Sequence, residues 1–170
     1  DDKSKIIEAG DIIYVGEENL NFATIAGVDP ATAGSVKLVH FTDKTADRTI
    51  IVPTTGAELK KSDVGTTTGS YYVLPNDAPL TVPVTGTPTV EIQIPQVVLD
   101  VRLYNDVESL DQLQDSMDGK SVTRKAKLIF RVDTNLDGFI SVENAPTINI
   151  DVTLPGGGVM NEFRNVNLKD

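Results

Sequence analysis

The chain has 170 residues, 39% of them apolar and 24% charged, with a net charge of −10, which is the composition of a globular protein of one ordinary domain or two small ones. That acidity excludes a nucleic-acid surface, whose phosphates require a basic footprint; Lys60-Lys61 and Arg124-Lys125 are isolated pairs. With no cysteine and a single histidine, disulfide frameworks, thiolate nucleophiles and Cys- or His-based zinc sites are excluded too.

Aromatic residues make up only 5% and tryptophan is absent, so the core must rest on Val, Ile and Leu, which favours strands. The start, DDKSKII, reads as a mature or trimmed end, and no run of about 18 apolar residues is present to span a bilayer as a helix. Asp11 to Val15 is a compact apolar run closed by Gly16, and Leu20 to Ile25 alternates as a half-buried strand should. Asp29-Pro30 marks a turn. Ser35 to Phe41 and Arg48 to Val52 form the next strand pair, joined by a polar loop through Asp43 and Asp47, with His40 on a strand face.

Ala57 to Val64 has room for one helical turn with Leu59 inward, but the bracketing Gly56, Gly65 and Gly69 make it a connector. Tyr71 to Leu74 is a strand. Five prolines between Pro75 and Pro95 restrict that segment to edge strands and extended connections. Within it, Val90 to Ile94 alternates strictly and places Val90, Ile92 and Ile94 inward. Pro95 is the expected boundary between an N-terminal β unit, 1–95, and a second unit, 96–170.

Val97, Leu99, Val101 and Leu103 share one strand face. Val107, Leu110, Leu113 and Met117 then recur at helical spacing between a capping Asp106 and Gly119, which predicts one short helix near 107–117. The strand pattern resumes at Val122 and through Ala126 to Val132. Thr147 to Leu154 alternates most cleanly, and Pro155 to Gly158 turns into a last strand, Val159 to Leu168. The expectation is an all-β chain of two consecutive sandwich- or barrel-like units. The second is immunoglobulin-like but, with about five strands where about seven close a sandwich, incomplete and open at an edge.

One stretch carries candidate chemistry. In Asp133-Thr134-Asn135-Leu136-Asp137-Gly138, three side-chain oxygens alternate before a glycine, as in the first half of a calcium loop. Asp133, Asn135, Asp137, the Phe139 carbonyl and Ser141 would be the ligands, but the twelfth position is Asn144, with Glu143 one residue early. The other reading is a hairpin turn at Asp137-Gly138, since alternate residues share a strand face in any case. No nucleophile elbow accompanies His40, and Gly156 to Gly158 lacks the Lys-Ser/Thr of a phosphate loop, so no enzymatic activity is expected.

Gly10 to Leu20, Thr68 to Tyr72, Phe130 to Leu136 and Thr153 to Gly157 follow one another as landmarks along nearly the whole chain. In this order the chain resembles a domain of unknown function that recurs in surface-layer and other cell-surface proteins of methanogenic archaea. The resemblance implies a secreted, extracellular, envelope-associated β-rich protein with its signal peptide removed, often part of a longer chain, and no activity. Two functions are therefore expected as alternatives. One is a structural cell-surface protein that self-associates into an extracellular lattice or filament; the other is a monomeric binding or adhesion module, calcium-stabilised around Asp133 to Asn144.

Overall fold

The structure, a computed structural model, describes residues 4–82, 85–103, 116–123, 125–139, 150–153, 156–160, 162–163 and 166–167. It is an all-β protein: the α-helices among these residues are two four-residue segments, and none is long and apolar enough to cross a membrane. Two compact units divide after Gly138, Asp1–Gly138 and Phe139–Asp170.

The first unit is built on a five-stranded mixed sheet. Its strands are β2 (Ile12–Tyr14), β4 (Ser35–Thr42), β5 (Thr45–Pro53), β6 (Gly69–Pro75) and β7 (Thr89–Gln93), in the order β2-β7-β6-β4-β5. β2 and β7 run parallel and the other neighbours antiparallel. β1 (Lys5–Ile6) pairs in parallel with β3 (Leu20–Asn21) as a separate short sheet. Ile13, Leu38, Ile50, Tyr71, Val90 and Ile92 line one face of the five-stranded sheet, and Ile7, Leu20, Phe22, Ala57, Leu59 and Val64 close over it. Each such apolar side chain contributes about 1.5–3 kcal/mol by leaving water, so this cluster is the centre of stability.

Several elements differ from the sequence reading for local reasons. Leu20 to Ile25 is not one strand: the Asn21 side-chain oxygen accepts the Ala23 N–H at 3.0 Å and starts a short helix, α1 (Ala23–Ala26), ended by left-handed Gly27. The β4–β5 connection is a two-residue turn at Asp43-Lys44, with Asp43 at φ +55°, so Asp47 belongs to the strand and not to a loop. The helical turn near Leu59 forms as α2 (Lys61–Val64), with Leu59 fully buried just before it. β7 is interior, between β2 and β6, because Thr89–Gln93 contains none of the segment's prolines. It stops at Gln93, so Ile94 is exposed where burial was expected.

Beyond Pro95, β8 (Val97–Leu103) and β9 (Leu128–Thr134) form an antiparallel two-stranded ribbon, followed by a 3-10 turn, Asp137–Phe139. The expected helix falls mostly on 104–115, outside the described residues. Its last residues are not helical: Ser116 bridges Arg102, and the Met117 N–H donates to the Val101 carbonyl at 2.8 Å. Val122 lies outside any strand. In the second unit, β10 (Val152–Thr153) pairs with β11 (Val159–Met160) around the expected glycine turn. The expected last strand is instead interrupted, with β12 (Glu162–Phe163) folding back on β13 (Val166–Asn167).

Tyr71 gives the core a pH signature. Its ring is fully buried, 5.3 Å from the His40 ring, and its hydroxyl donates to the Thr67 carbonyl at 2.8 Å. Burial pushes the phenol up to about 12 from 10.0, against the opposing pull of Arg48 and with a smaller push from Asp47. The folded chain thus keeps a proton that the unfolded chain loses, so this contribution is intact below pH 10 and is lost as pH rises toward 12. Stability measured by urea unfolding is expected to fall across that window by up to about 1.4 kcal/mol per pH unit. Tyr71→Phe should flatten the slope; an unchanged slope in that variant would assign the effect elsewhere.

Candidate interaction surface

The Asp133 to Asp137 stretch is first of all a strap. Asn135 follows β9 directly and its side chain is spoken for: Oδ1 accepts the Gln96 N–H at 2.7 Å, and Nδ2 donates to the Ile94 carbonyl at 2.9 Å and to Gln93 Oε1 at 3.4 Å. Its main-chain carbonyl accepts the Tyr14 hydroxyl, and that same phenolic oxygen accepts the Gly138 N–H at 3.1 Å. Tyr14 is 1% exposed. A Cβ on Gly138 would sit 3.1 Å from both Ile12 Cβ and Tyr14 Cε2, so glycine is the residue that lets this turn lie against β2. The end of β9 is thereby tied to both β2 and the end of β7.

Of the candidate calcium ligands, Asp133 points along the ribbon, where both its carboxylate oxygens accept Arg131 Nε, at 3.0 and 2.8 Å. Asp137 begins the 3-10 turn and Phe139 ends it. Glu143 lies outside the described residues, as do Ser141, Asn144 and the return strand of the alternative hairpin. Nothing in the alternating oxygens of 133, 135 and 137 signalled Tyr14 as the partner. The available signal was a tyrosine inside the apolar run Ile12 to Val15, because a buried phenol requires a hydrogen-bond partner.

The ribbon so held is amphipathic. Directly opposed residues share a face, and the register Val97↔Thr134, Leu99↔Val132, Val101↔Phe130, Leu103↔Leu128 makes one face apolar apart from Thr134. The other face carries Val98 opposite Asp133, Asp100 opposite Arg131 and Arg102 opposite Ile129. The polar face is paired: Arg102 Nε donates to Asp100 at 2.7 Å and the Ser116 hydroxyl to Asp100 at 2.5 Å. The Ser116 hydrogen bond chiefly, and then Arg102, hold the Asp100 carboxyl below its ordinary range. Its contribution is therefore present at neutral pH and lost as pH falls through that depressed value.

The apolar face is only partly covered among the described residues. Val97 is 49% exposed, Leu99 47% and Leu128 40%, while Val101, Leu103, Phe130 and Val132 are half-buried. A two-stranded ribbon is marginal in water unless a further strand or layer covers it, so this face can accept a partner. A groove of about 580 Å³ beside the ribbon draws mainly on the other face, being lined by Val98, Asp100, Arg102, Asp133, Ser116 and Met117 among others.

His40, the chain's one histidine, lies elsewhere, on β4. Its Nδ1 is 2.7 Å from Asp47, which also accepts the Thr42 hydroxyl at 2.8 Å, and these two contacts hold the Asp47 carboxyl below its ordinary range, His40 contributing most.

A family model described as a domain of unknown function, DUF3821, matches residues 9–168. No curated protein and no solved structure matches the chain. With nearly the whole chain covered, this protein belongs to the DUF3821 family.

Proposed function

We propose that this member of the DUF3821 family is a structural cell-surface module, of the surface-layer type found in methanogenic archaea, that self-associates outside the cell into a lattice or filament. The observation that carries the reading is the apolar face of the β8–β9 ribbon, tied down at its Thr134 end by the Asn135 strap and exposed at Val97, Leu99 and Leu128. A structural module needs such a face and no reaction centre, and the proposal assigns no catalytic role to any residue. A layout of two β units, 1–95 and an immunoglobulin-like 96–170, belongs to the same proposal, since the five-stranded sheet and the ribbon lie on either side of Pro95.

Sedimentation and electron microscopy across a concentration series test it. Concentration-dependent growth into ordered arrays is the expected result, and a chain that stays monomeric at millimolar concentration overturns it. The exposed carboxylates of Asp133 and Asp137 favour a second reading, a monomeric extracellular binding or adhesion module stabilised by Ca²⁺. In that case millimolar calcium should raise Tm by mass action, by about 2.7 kcal/mol of stability at a hundredfold excess over Kd. An unchanged Tm removes calcium from consideration.

A further inference from the structure

β5 ends one side of the five-stranded sheet, with β4 as its neighbour and no strand beyond it among the described residues. The ladder shows which of its backbone groups face outward. The Thr54 N–H donates to the Gly34 carbonyl, so by the alternation of antiparallel pairs Val36↔Val52, Leu38↔Ile50 and His40↔Arg48 exchange the hydrogen bonds with β4. Ser35↔Pro53, Lys37↔Ile51 and Val39↔Thr49 are the non-bonded pairs, as a proline at 53 requires. The N–H and C=O groups of Thr49 and Ile51, and the Pro53 carbonyl, therefore face away from the sheet. The side chains of Thr49 and Ile51 are exposed, Ile51 to 62%.

Native edges are usually blunted by charge, a bulge or a cover. Here the bulge lies at His40/Phe41, at the turn end of the hairpin, and the stretch from Arg48 to Val52 is regular. The charges near it also cancel: Asp43 and Asp47 are matched by Lys44 and Arg48, in a chain whose net charge is −10. A second copy approaching along this edge meets little of the repulsion it would meet elsewhere.

We infer that β5 pairs antiparallel with β5 of a second copy about a twofold axis at Ile50, joining two five-stranded sheets into one of ten strands. In this register Thr49 lies opposite Ile51 of the other copy and Ile51 opposite Thr49. Each exchanges N–H and C=O bonds, and the β-branched side chains meet on one face. Arg48 falls opposite Val52. Shifting the register by two residues toward the turn puts Ile51 against Asp47, and by two the other way puts Thr49 against Pro53, which has no N–H to give, so the sequence selects the register centred on Ile50. An unrelated extended peptide has no such built-in match of charges and side chains. A single strand pair is small beside the roughly 800 Å² per partner of a stable interface. It therefore serves as one contact of an assembly and not as a lone dimer.

This inference rests on the self-association proposed above but uses a different surface. One twofold contact closes a dimer; two different twofold contacts, edge and ribbon face, propagate without limit. Ile51→Pro removes one outward N–H and no bond to β4, so the variant should keep its fold by circular dichroism while its dissociation constant at this contact rises at least tenfold. Because the chain lacks cysteine, chains carrying Thr49→Cys mixed with chains carrying Ile51→Cys should give disulfide-linked pairs under mild oxidation. Thr49→Cys alone should give far fewer. If the wild type assembles and Ile51→Pro assembles equally well, or if Thr49→Cys links chiefly to itself, the edge inference is overturned and the ribbon reading stands. If Leu99→Asp abolishes all contacts including the cross-link, the edge does not act independently, which also overturns it. A wild-type chain that stays monomeric, or one whose edge takes up only an added peptide of unrelated sequence, overturns both.

Discussion

Tyr14→Ala is expected to destabilise the protein by about 3–5 kcal/mol, the range for deleting a buried aromatic ring. The cost has two sources that a second variant separates. Tyr14 is buried against Gly138, so losing the ring opens a cavity beneath the 3-10 turn. Losing the hydroxyl leaves the Asn135 carbonyl without its donor and the Gly138 N–H without its acceptor. Tyr14→Phe isolates the second source, at about 1–2 kcal/mol for a half-buried pair of hydrogen bonds. Asn135→Ala should fall in the same range, because water can replace its partners at exposed Ile94 and Gln96.

The combined Tyr14→Phe/Asn135→Ala variant should cost less than the sum, since both changes loosen one turn. Asp133→Asn should stay within about 0.5 kcal/mol, its partner Arg131 being an exposed neighbour on the same strand. Urea unfolding measures all five variants. A strap that is architectural gives this ranking with or without calcium. Should Asp133→Asn prove the costly change, and only in calcium, the stretch would be a cation loop first and a strap second.

Leu99→Asp is the second variant with a large expected effect. Leu99 sits in the middle of the apolar ribbon face, 47% exposed in the single chain and opposite Val132. A carboxylate there meets water in the monomer and costs about 0.5 kcal/mol or less. Buried against another copy it would lack a hydrogen-bond partner, at about 1–3 kcal/mol, or roughly five- to 150-fold in dissociation constant. Because a twofold contact contains the residue twice, the effect should lie at the upper end. Asp100→Asn, on the opposite face, is the matched control and should leave association unchanged. Equal association of Leu99→Asp and the wild type in sedimentation would exclude the ribbon face as the contact.

Much of the fold was legible because alternation is a local signal. The runs Asp11 to Val15, Ser35 to Phe41, Tyr71 to Leu74 and Val90 to Ile94 announced their strands, and the strict alternation of the last put Val90 and Ile92 inward. Where the reading went astray, a single local interaction intervened, as at Asn21, whose side chain starts α1 where alternation pointed to a strand. Sheet order was not legible. The parallel pairing of β2 with β7 joins residues about 80 apart, and proline content pointed to an edge for a segment whose proline-free core lies inside the sheet.

The candidate site divides along the same line. By itself the sequence determined an acidic, cysteine-free, strand-built chain with an alternating apolar face from Val97 to Leu103 and an Asp-x-Asn-x-Asp-Gly turn, because composition and periodicity are properties of neighbours along the chain. Only the tertiary structure decided that this turn rests on Tyr14, more than a hundred residues earlier, that Val97, Leu99 and Leu128 of the apolar face are exposed, and that β5 ends the sheet among the described residues with Thr49 and Ile51 facing outward. The physical reason is that a hydrogen-bond partner, a covering layer and a sheet edge are each defined by what lies across space, and a local pattern carries no term for the distant chain that supplies them.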